Sequence, residues 1–457
     1  MSQKLFGTDG VRGEANQWPI TPDSIMKLAI ATGKHFIDSC QGSRAGHPRF
    51  TVVIGKDTRL SGYMVESALV AGFVTMGIDV VLLGPIPTPG VAVLTRSLRA
   101  DLGVMISASH NPYTDNGIKF FKSDGYKITS DDEKAIEGYV KNPPALPPAT
   151  AFGKAKRLDD ALGRYIEFAK ATFPRGQRLD GLRIVLDAAN GAAYKVAPRV
   201  LWELGADVVT IGDDPQGDNI NLNCGATHPE FLAAKVLEHE ADLGIALDGD
   251  ADRVILVDEK GVVVDGDQLM AAITQRWHAR GILRGNGVVA TTMSNLGFER
   301  FLESKGLTLF RAAVGDRNVS AMMHEKGCNV GGEQSGHIVL NDYCTTGDGL
   351  IGALQVLSLI QETNQTASQL LTVFAPVPQK LQNIRLKKPL NLSDPALSSA
   401  INRAEMILGH TGRLLVRSSG TEPLVRLMAQ GDDELLLTTV LHELVEVVAT
   451  MQSEKSL

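Results

Sequence analysis

The feature that most constrains this chain is a strand–helix–strand pattern that occurs three times. Residues 51–57 read TVVIGKD, a β-branched apolar run. The stretch from Met64 to Met76 then places Val65, Leu69, Phe73 and Met76 at three- and four-residue spacing, and after Gly77 a second apolar run spans Val80 to Leu83. Residues 183–187 (RIVLD), a helical stretch around Val196–Leu204 closed by Gly205, and Asp207–Ile211 repeat the pattern. Residues 287–291 (GVVAT), Gly297–Lys305, Gly306 and Leu307–Phe310 give it once more. Apolar strands alternating with amphipathic helices predict βαβ units whose sheets are covered by helices. The glycines fit helix C-caps, where a positive φ is cheap only without a side chain. The spacing is too uneven and too long for a solenoid, so the expectation is three related α/β domains with mixed sheets.

Punctuation divides the chain further. Residues 142–150 read NPPALPPAT, which can continue neither a helix nor a central strand. FAPVPQK at 374–380 breaks the chain again, whereas the division near 257–266 is soft. Beyond 380 the pattern changes: GRLLVR and LVRLMAQ flank the turn SSGTEP, and Leu437, Leu441, Leu444, Val448 and Met451 mark a final amphipathic helix. That predicts a smaller C-terminal α+β domain. The expected units are 1–150, 151–258, 259–373 and 374–457, arranged around a central cleft. Near the start, Thr21 as N-cap, Pro22 at N1 and an apolar face of Ile25, Leu28, Ala29 and Phe36 predict another helix.

Composition bounds the function. Forty-five Lys and Arg against 52 Asp and Glu leave a net charge of −7, which argues against general nucleic-acid binding. A local arginine cluster can still bind anions. Cys40, Cys224, Cys328 and Cys344 show no metal-ligand or disulfide spacing. No secretion signal opens the chain and no apolar run reaches membrane-spanning length, so a soluble protein of the cytoplasm is expected, with no membrane partner.

Five segments carry chemistry. LGIALDGDADR, 243–253, ends an apolar strand in Asp248, Asp250 and Asp252. Three carboxylates so close repel unless a cation neutralises them, and oxygen ligands suit a hard ion such as Mg²⁺ or Ca²⁺. An EF-hand count from Asp248 reaches Glu259 at its twelfth position. It fails because Arg253 stands where the turn needs glycine and VILV follows. MISASHNPYTDNGIKFF, 105–121, offers Ser107, Ser109, His110 and Lys119; composition does not separate the two serines as a nucleophile. RLLVRSSGTEPLVR, 413–426, surrounds a turn with hydroxyls, a glycine, Arg417 and Arg426, which suits phosphate. GGEQSGH, 331–337, supplies Glu333 and Ser335 for sugar hydroxyls and His337 as a proton carrier, and FGTDGVRG, 6–13, supplies Arg12. Together these predict phosphoryl transfer on a sugar phosphate at a junction of domains.

SASHNP (107–112), DGDADR (248–253), GGEQSGH (331–337) and RSSGTEP (417–423) occur in the order of the α-D-phosphohexomutases, and the chain resembles that superfamily over nearly its whole length. NINLNCGATHPE (219–230), VGDR (314–317) and TTGDG (345–349) resemble its bacterial phosphoglucosamine mutases. The resemblance implies that Ser109 carries a phosphoryl group and that Mg²⁺ is held by it with Asp248, Asp250 and Asp252. Glu333 and Ser335 would contact the sugar. Arg417, Ser418, Ser419, Gly420, Thr421 and Arg426 would hold the phosphate that is not transferred. Arg12, Lys119, Arg253 and His337 would stand near the reacting groups. The implied reaction interconverts glucosamine 6-phosphate and glucosamine 1-phosphate through a 1,6-bisphosphate, supplying an amino sugar for cell-wall synthesis. Ser418 departs from relatives that often carry Lys there. A phosphoglucomutase or phosphomannomutase of the same fold, and a non-catalytic sugar-phosphate binder, are the competing readings. A homodimer is compatible with the sequence but not specified by it.

Overall fold

A computed structural model describes residues 4–7, 9–39, 49–388, 390–418 and 424–453. The three repeats build three mixed sheets. In the first, the order from edge to edge is Val11–Glu14, Asp115–Lys122, Leu102–Ile106, Thr51–Lys56, Asp79–Pro85 and Ala155–Arg157. The second runs Val263–Val264, Val254–Asp258, Leu243–Leu247, Arg183–Asp187 and Asp207–Ile211. The third runs Thr308–Ala312, Gly287–Thr291, Val330–Gly332 and Ile338–Leu340. Two strands cross the expected divisions: Ala155–Arg157 pairs with Asp79–Pro85 in the first sheet, and Val263–Val264 pairs with Val254–Asp258 in the second.

The predicted repeat is present in each sheet. Thr51–Lys56 and Asp79–Pro85 are parallel, as are Arg183–Asp187 with Asp207–Ile211 and Gly287–Thr291 with Thr308–Ala312. The intervening helices are Gly62–Thr75, Val196–Glu203 and Leu296–Ser304. Gly77, Gly205 and Gly306 follow them at φ +81°, +110° and +71°.

A second equivalence lies beyond the repeat. On its other side, each first strand pairs in parallel with a strand that turns back antiparallel. These returns are Leu102–Ile106 to Asp115–Lys122, Leu243–Leu247 to Val254–Asp258, and Val330–Gly332 to Ile338–Leu340. The serine segment, the acidic segment and GGEQSGH are the three connecting loops. They occupy one topological position in three related units, at the carboxyl ends of parallel strands where open α/β sheets bind ligands.

The fourth unit is an antiparallel sheet ordered Gln379–Arg385, Leu424–Gly431 and Gly412–Ser418, packed under Pro395–Leu408 and Glu434–Ser453. Its core, from Leu397 to Val448, is separate. A single apolar cluster, by contrast, runs from Val53 in the first unit through Ile184 and Leu247 in the second to Leu354 and Phe374 in the third. That continuity fixes the first three loops relative to one another. Among the described residues no helix is long and apolar enough to cross a membrane.

Candidate active site

Ser109 is 1% exposed and has φ +55°. A left-handed backbone costs a non-glycine residue about 1–2 kcal/mol and persists only where the surroundings hold it. The structure separates the two serines. Ser107 Oγ donates to Asp57 Oδ2 at 2.6 Å and accepts from Ser109 N at 2.9 Å, so it is committed to the loop. Ser109 Oγ donates to Asp248 Oδ2 at 2.6 Å, across the junction of the first two units.

This approach needs Gly249. A Cβ there would stand 2.6 Å from the Ser109 carbonyl oxygen and 2.8 Å from Asn221 Nδ2. The glycine of DGDADR therefore lets the acidic loop lie directly against the serine loop.

Asp248, Asp250 and Asp252 are buried and offer one oxygen each, all within 4.8 Å of one another. At an effective dielectric of about 20, each pair of negative charges at that separation costs roughly 3 kcal/mol. Protein cations offset part of this. Lys119 Nζ donates to Asp250 Oδ2 at 2.8 Å and to Asp252 Oδ2 at 3.1 Å, and also pairs with Asp9 at 3.2 Å. Burial opposes its charge, but Asp250, Asp252 and Asp9 outweigh that and hold the Lys119 ammonium well above its ordinary value. Burial, with Asp252 and Asp250 alongside, pushes the Asp248 carboxyl up to about 7. Burial likewise works against ionised Asp252, yet Lys119, His337 and Arg253 hold it well below the usual range.

Asp250 Oδ1 and Asp252 Oδ1 are buried with no hydrogen-bond partner among the described residues. Buried carboxylate oxygens without hydrogen bonds, on a trio whose Asp248 meets Ser109 Oγ, fit a hard divalent cation such as Mg²⁺. The calcium-loop count fails in three dimensions as well. Val254–Asp258 is a strand, and the Glu259 carboxylate accepts from Ser368 N at 2.9 Å.

The remaining predicted residues come from all four units. Arg12 Nη2 bonds Asp9 at 2.5 Å and its Nη1 reaches the Ala108 carbonyl at 3.4 Å. Arg253 N donates to Asp248 Oδ1 at 3.2 Å. His337 Nδ1 lies 3.6 Å from Asp252 Oδ1, and its Nε2 accepts from Gly347 N, of TTGDG, at 3.2 Å. Burial and the Arg253 and Arg12 charges depress His110 to about 4, which leaves it neutral beside Ser109.

Glu333 accepts from Gly315 N at 3.0 Å and from Ser335 Oγ at 3.1 Å, and its charge acts on both Arg253 and Arg417. Arg417 and Arg426 are register partners on adjacent antiparallel strands, so two cations face each other on one side of the sheet. Burial and the Arg426 charge lower the proton affinity of Arg417, with Glu333 opposing. The Nε atoms of Arg12, Arg253 and Arg417 are buried without a hydrogen-bond partner among the described residues. Such a set suits anions. Ser418 is exposed at the end of its strand. Ser419, Gly420 and Thr421 lie outside the described residues.

Sequence reasoning missed several members. Asp9 ties Arg12, Lys119 and Lys127 together, and Lys127 also bonds Asp316 of VGDR. Thr88 Oγ1 donates to Asp250 Oδ2 at 2.6 Å. Asp9 stands inside FGTDGVRG, where the sequence signals it; Thr88 has no sequence signal beyond its place at the start of a helix, after Pro87.

Family models described as phosphoglucomutase/phosphomannomutase alpha/beta/alpha domains I, II and III match residues 3–145, 163–261 and 265–377, and that of the C-terminal domain matches 377–447. A phosphoglucosamine mutase of Paramagnetospirillum magneticum is 58% identical over 453 residues, spanning 98% of this chain and 99% of its own. One from Agrobacterium fabrum is 58% identical, spanning 99% of this chain and 100% of its own. The chain belongs to the phosphoglucosamine mutase family. Its members are isomerases of the phosphohexomutase superfamily.

Solved structures agree on the fold. A phosphoglucomutase/phosphomannomutase family protein from Burkholderia thailandensis matches with a TM-score of 0.82 at 23% identity, covering 100% of this chain and 99% of that one. An N-acetylphosphoglucosamine mutase from Aspergillus fumigatus, solved with GlcNAc-6P and magnesium, matches with a TM-score of 0.66 at 17% identity, covering 97% of this chain and 96% of that one.

Proposed function

We propose that this member of the phosphoglucosamine mutase family interconverts glucosamine 6-phosphate and glucosamine 1-phosphate through phosphorylated Ser109. The observation that carries the proposal is the strained serine whose Oγ meets Asp248 of a buried carboxylate trio. The free hydroxyl of the substrate attacks the phosphorus of phospho-Ser109; the bond from phosphorus to Oγ breaks as that to the sugar oxygen forms, the sugar hydroxyl giving up its proton and Ser109 Oγ taking one up. The resulting 1,6-bisphosphate turns over and returns its other phosphoryl group to Ser109. In the dephosphorylated state the Ser109 proton rests between Oγ and Asp248 Oδ2.

Asp248, Asp250 and Asp252 with the Ser109 phosphate would hold Mg²⁺. When bound, it supplies positive charge to the phosphoryl oxygens. Lys119, kept as an ammonium by its three carboxylates, neutralises charge rather than taking a proton. Arg12, Arg253 and His337 line the reacting end. Glu333 and Ser335 orient the sugar, and Glu333 adds negative charge that suits a protonated hexosamine. Arg417 and Arg426, with Ser418, Ser419, Gly420 and Thr421, grip the phosphate that stays. One such grip accepts either end of the bisphosphate, so a single set of groups serves both half-reactions. Burial of Ser109 excludes water, which favours transfer over hydrolysis.

The test compares turnover on glucosamine 6-phosphate, glucose 6-phosphate and mannose 6-phosphate, with and without Mg²⁺. The amino sugar is expected to be preferred, with turnover lost on chelation. Preference for a neutral hexose would overturn the substrate assignment.

A further inference from the structure

The serine loop is held from beneath by Arg59 and by Asn221 of NINLNCGATHPE, neither of which has yet been given a role. Arg59 is 1% exposed and spends its guanidinium on this loop. Its Nε pairs with Asp57 at 2.8 Å, its Nη1 donates to the Pro112 carbonyl, and its Nη2 donates to the carbonyls of Ser109 at 2.8 Å and Asn111 at 2.9 Å. Asn221 arrives from the second unit. Its Nδ2 donates to the same carbonyls of Ser109 at 2.9 Å and Asn111 at 3.1 Å. Asp57 completes the brace by accepting from Ser107 Oγ at 2.6 Å, while Ser107 accepts from Ser109 N.

A lysine could not make these contacts, because only the planar guanidinium fork presents several donors in fixed directions. Burying an ion pair is expensive, and Asp57–Arg59 has both side chains at 0% exposure. Its donors converge on three residues from Ser109 to Pro112, the first of them in the left-handed region. We propose that Arg59 and Asn221 are positioning residues for phosphoryl transfer, locking the carbonyls of the serine loop so that Ser109 Oγ stays on Asp248. Because one donor comes from each unit, the lock also fixes the serine loop against the acidic loop. The inference rests on Ser109 being the phosphorylated group.

Misplacing a reacting atom by about 1 Å costs about 10²-fold in rate. Asn221→Ala and Arg59→Lys are therefore each expected to lower kcat about 10²-fold, with KM for glucosamine 6-phosphate changed less than about threefold. The same variants, phosphorylated on Ser109, are expected to release inorganic phosphate faster relative to transfer than the wild type. Melting temperature is measured alongside; should Arg59→Lys fold poorly, Asn221→Ala decides. Wild-type kcat in folded Asn221→Ala, or a KM increase that accounts for the whole loss, would overturn the positioning role. Full activity in Ser109→Ala would instead sink the reading beneath it, which keeps the two failures apart.

Discussion

At the scale of the residue, the site is a balance of buried charges of both signs. Arg417 and Arg426 stand opposite each other on adjacent strands, and the Glu333 charge acts on Arg417. Arg417→Ala is expected to raise KM for glucosamine 6-phosphate about 10- to 100-fold, the worth of a charged hydrogen bond to phosphate, without lowering the melting temperature. Steady-state kinetics beside a melting curve check this. A second buried acid acts on stability. Burial, with Asp265 nearby, pushes Asp267 up to about 7, although it accepts from Asn295 N at 2.7 Å. An acid raised in the folded state contributes its full stability below the unfolded value of about 4 and loses it as pH rises through about 7. Asp267→Asn is expected to flatten that loss, read as a smaller fall in unfolding free energy between pH 4 and pH 8. The three aspartates were legible because like charges at alternate positions need an explanation. Asp57, Arg59 and Thr88 were not, because the serine loop and the Asp250 carboxylate that they hold lie 50 or more residues away.

At the scale of the element, apolar period and glycine caps sufficed to place the repeated strands and helices. The Thr51–Lys56 strand and the Gly62–Thr75 helix stand close to where TVVIGKD and the Val65–Met76 face put them. What the repeat did not reveal is the shared hairpin that follows it. The returning strands differ in length and composition, and Val330–Gly332 holds only three residues, two of them glycine. Pairing to a distant strand, rather than local preference, makes it a strand. The contact between two such hairpins is the most exacting part of the site. Gly249→Ala is expected to push the acidic loop off the Ser109 carbonyl and lower kcat about 10²-fold, with KM less affected. Unchanged kcat in that variant would show that the loops need not touch.

At the scale of the whole molecule, one apolar cluster spans the first three units while the fourth keeps a core of its own, so the fourth unit is the part least tied to the other three by apolar packing. Polar ties add to the apolar core that the first three units share. Thr88 bonds Asp250, Arg317 forks onto Glu133, and Gln430 Oε1 accepts from Leu296 N at 2.9 Å. Four domains were readable from the repeats and the change of pattern after residue 380, and the meeting of the serine and acidic loops from their motifs. The bracing between units was not, since it depends on contacts that only folding creates. The central claim is that a phosphoryl group passes through Ser109. It is tested most directly by the rate at which Ser109→Ala converts glucosamine 6-phosphate to glucosamine 1-phosphate. A rate at least about 10³-fold below wild type is expected in a folded protein, whereas a rate within about tenfold of wild type would rule out transfer through Ser109.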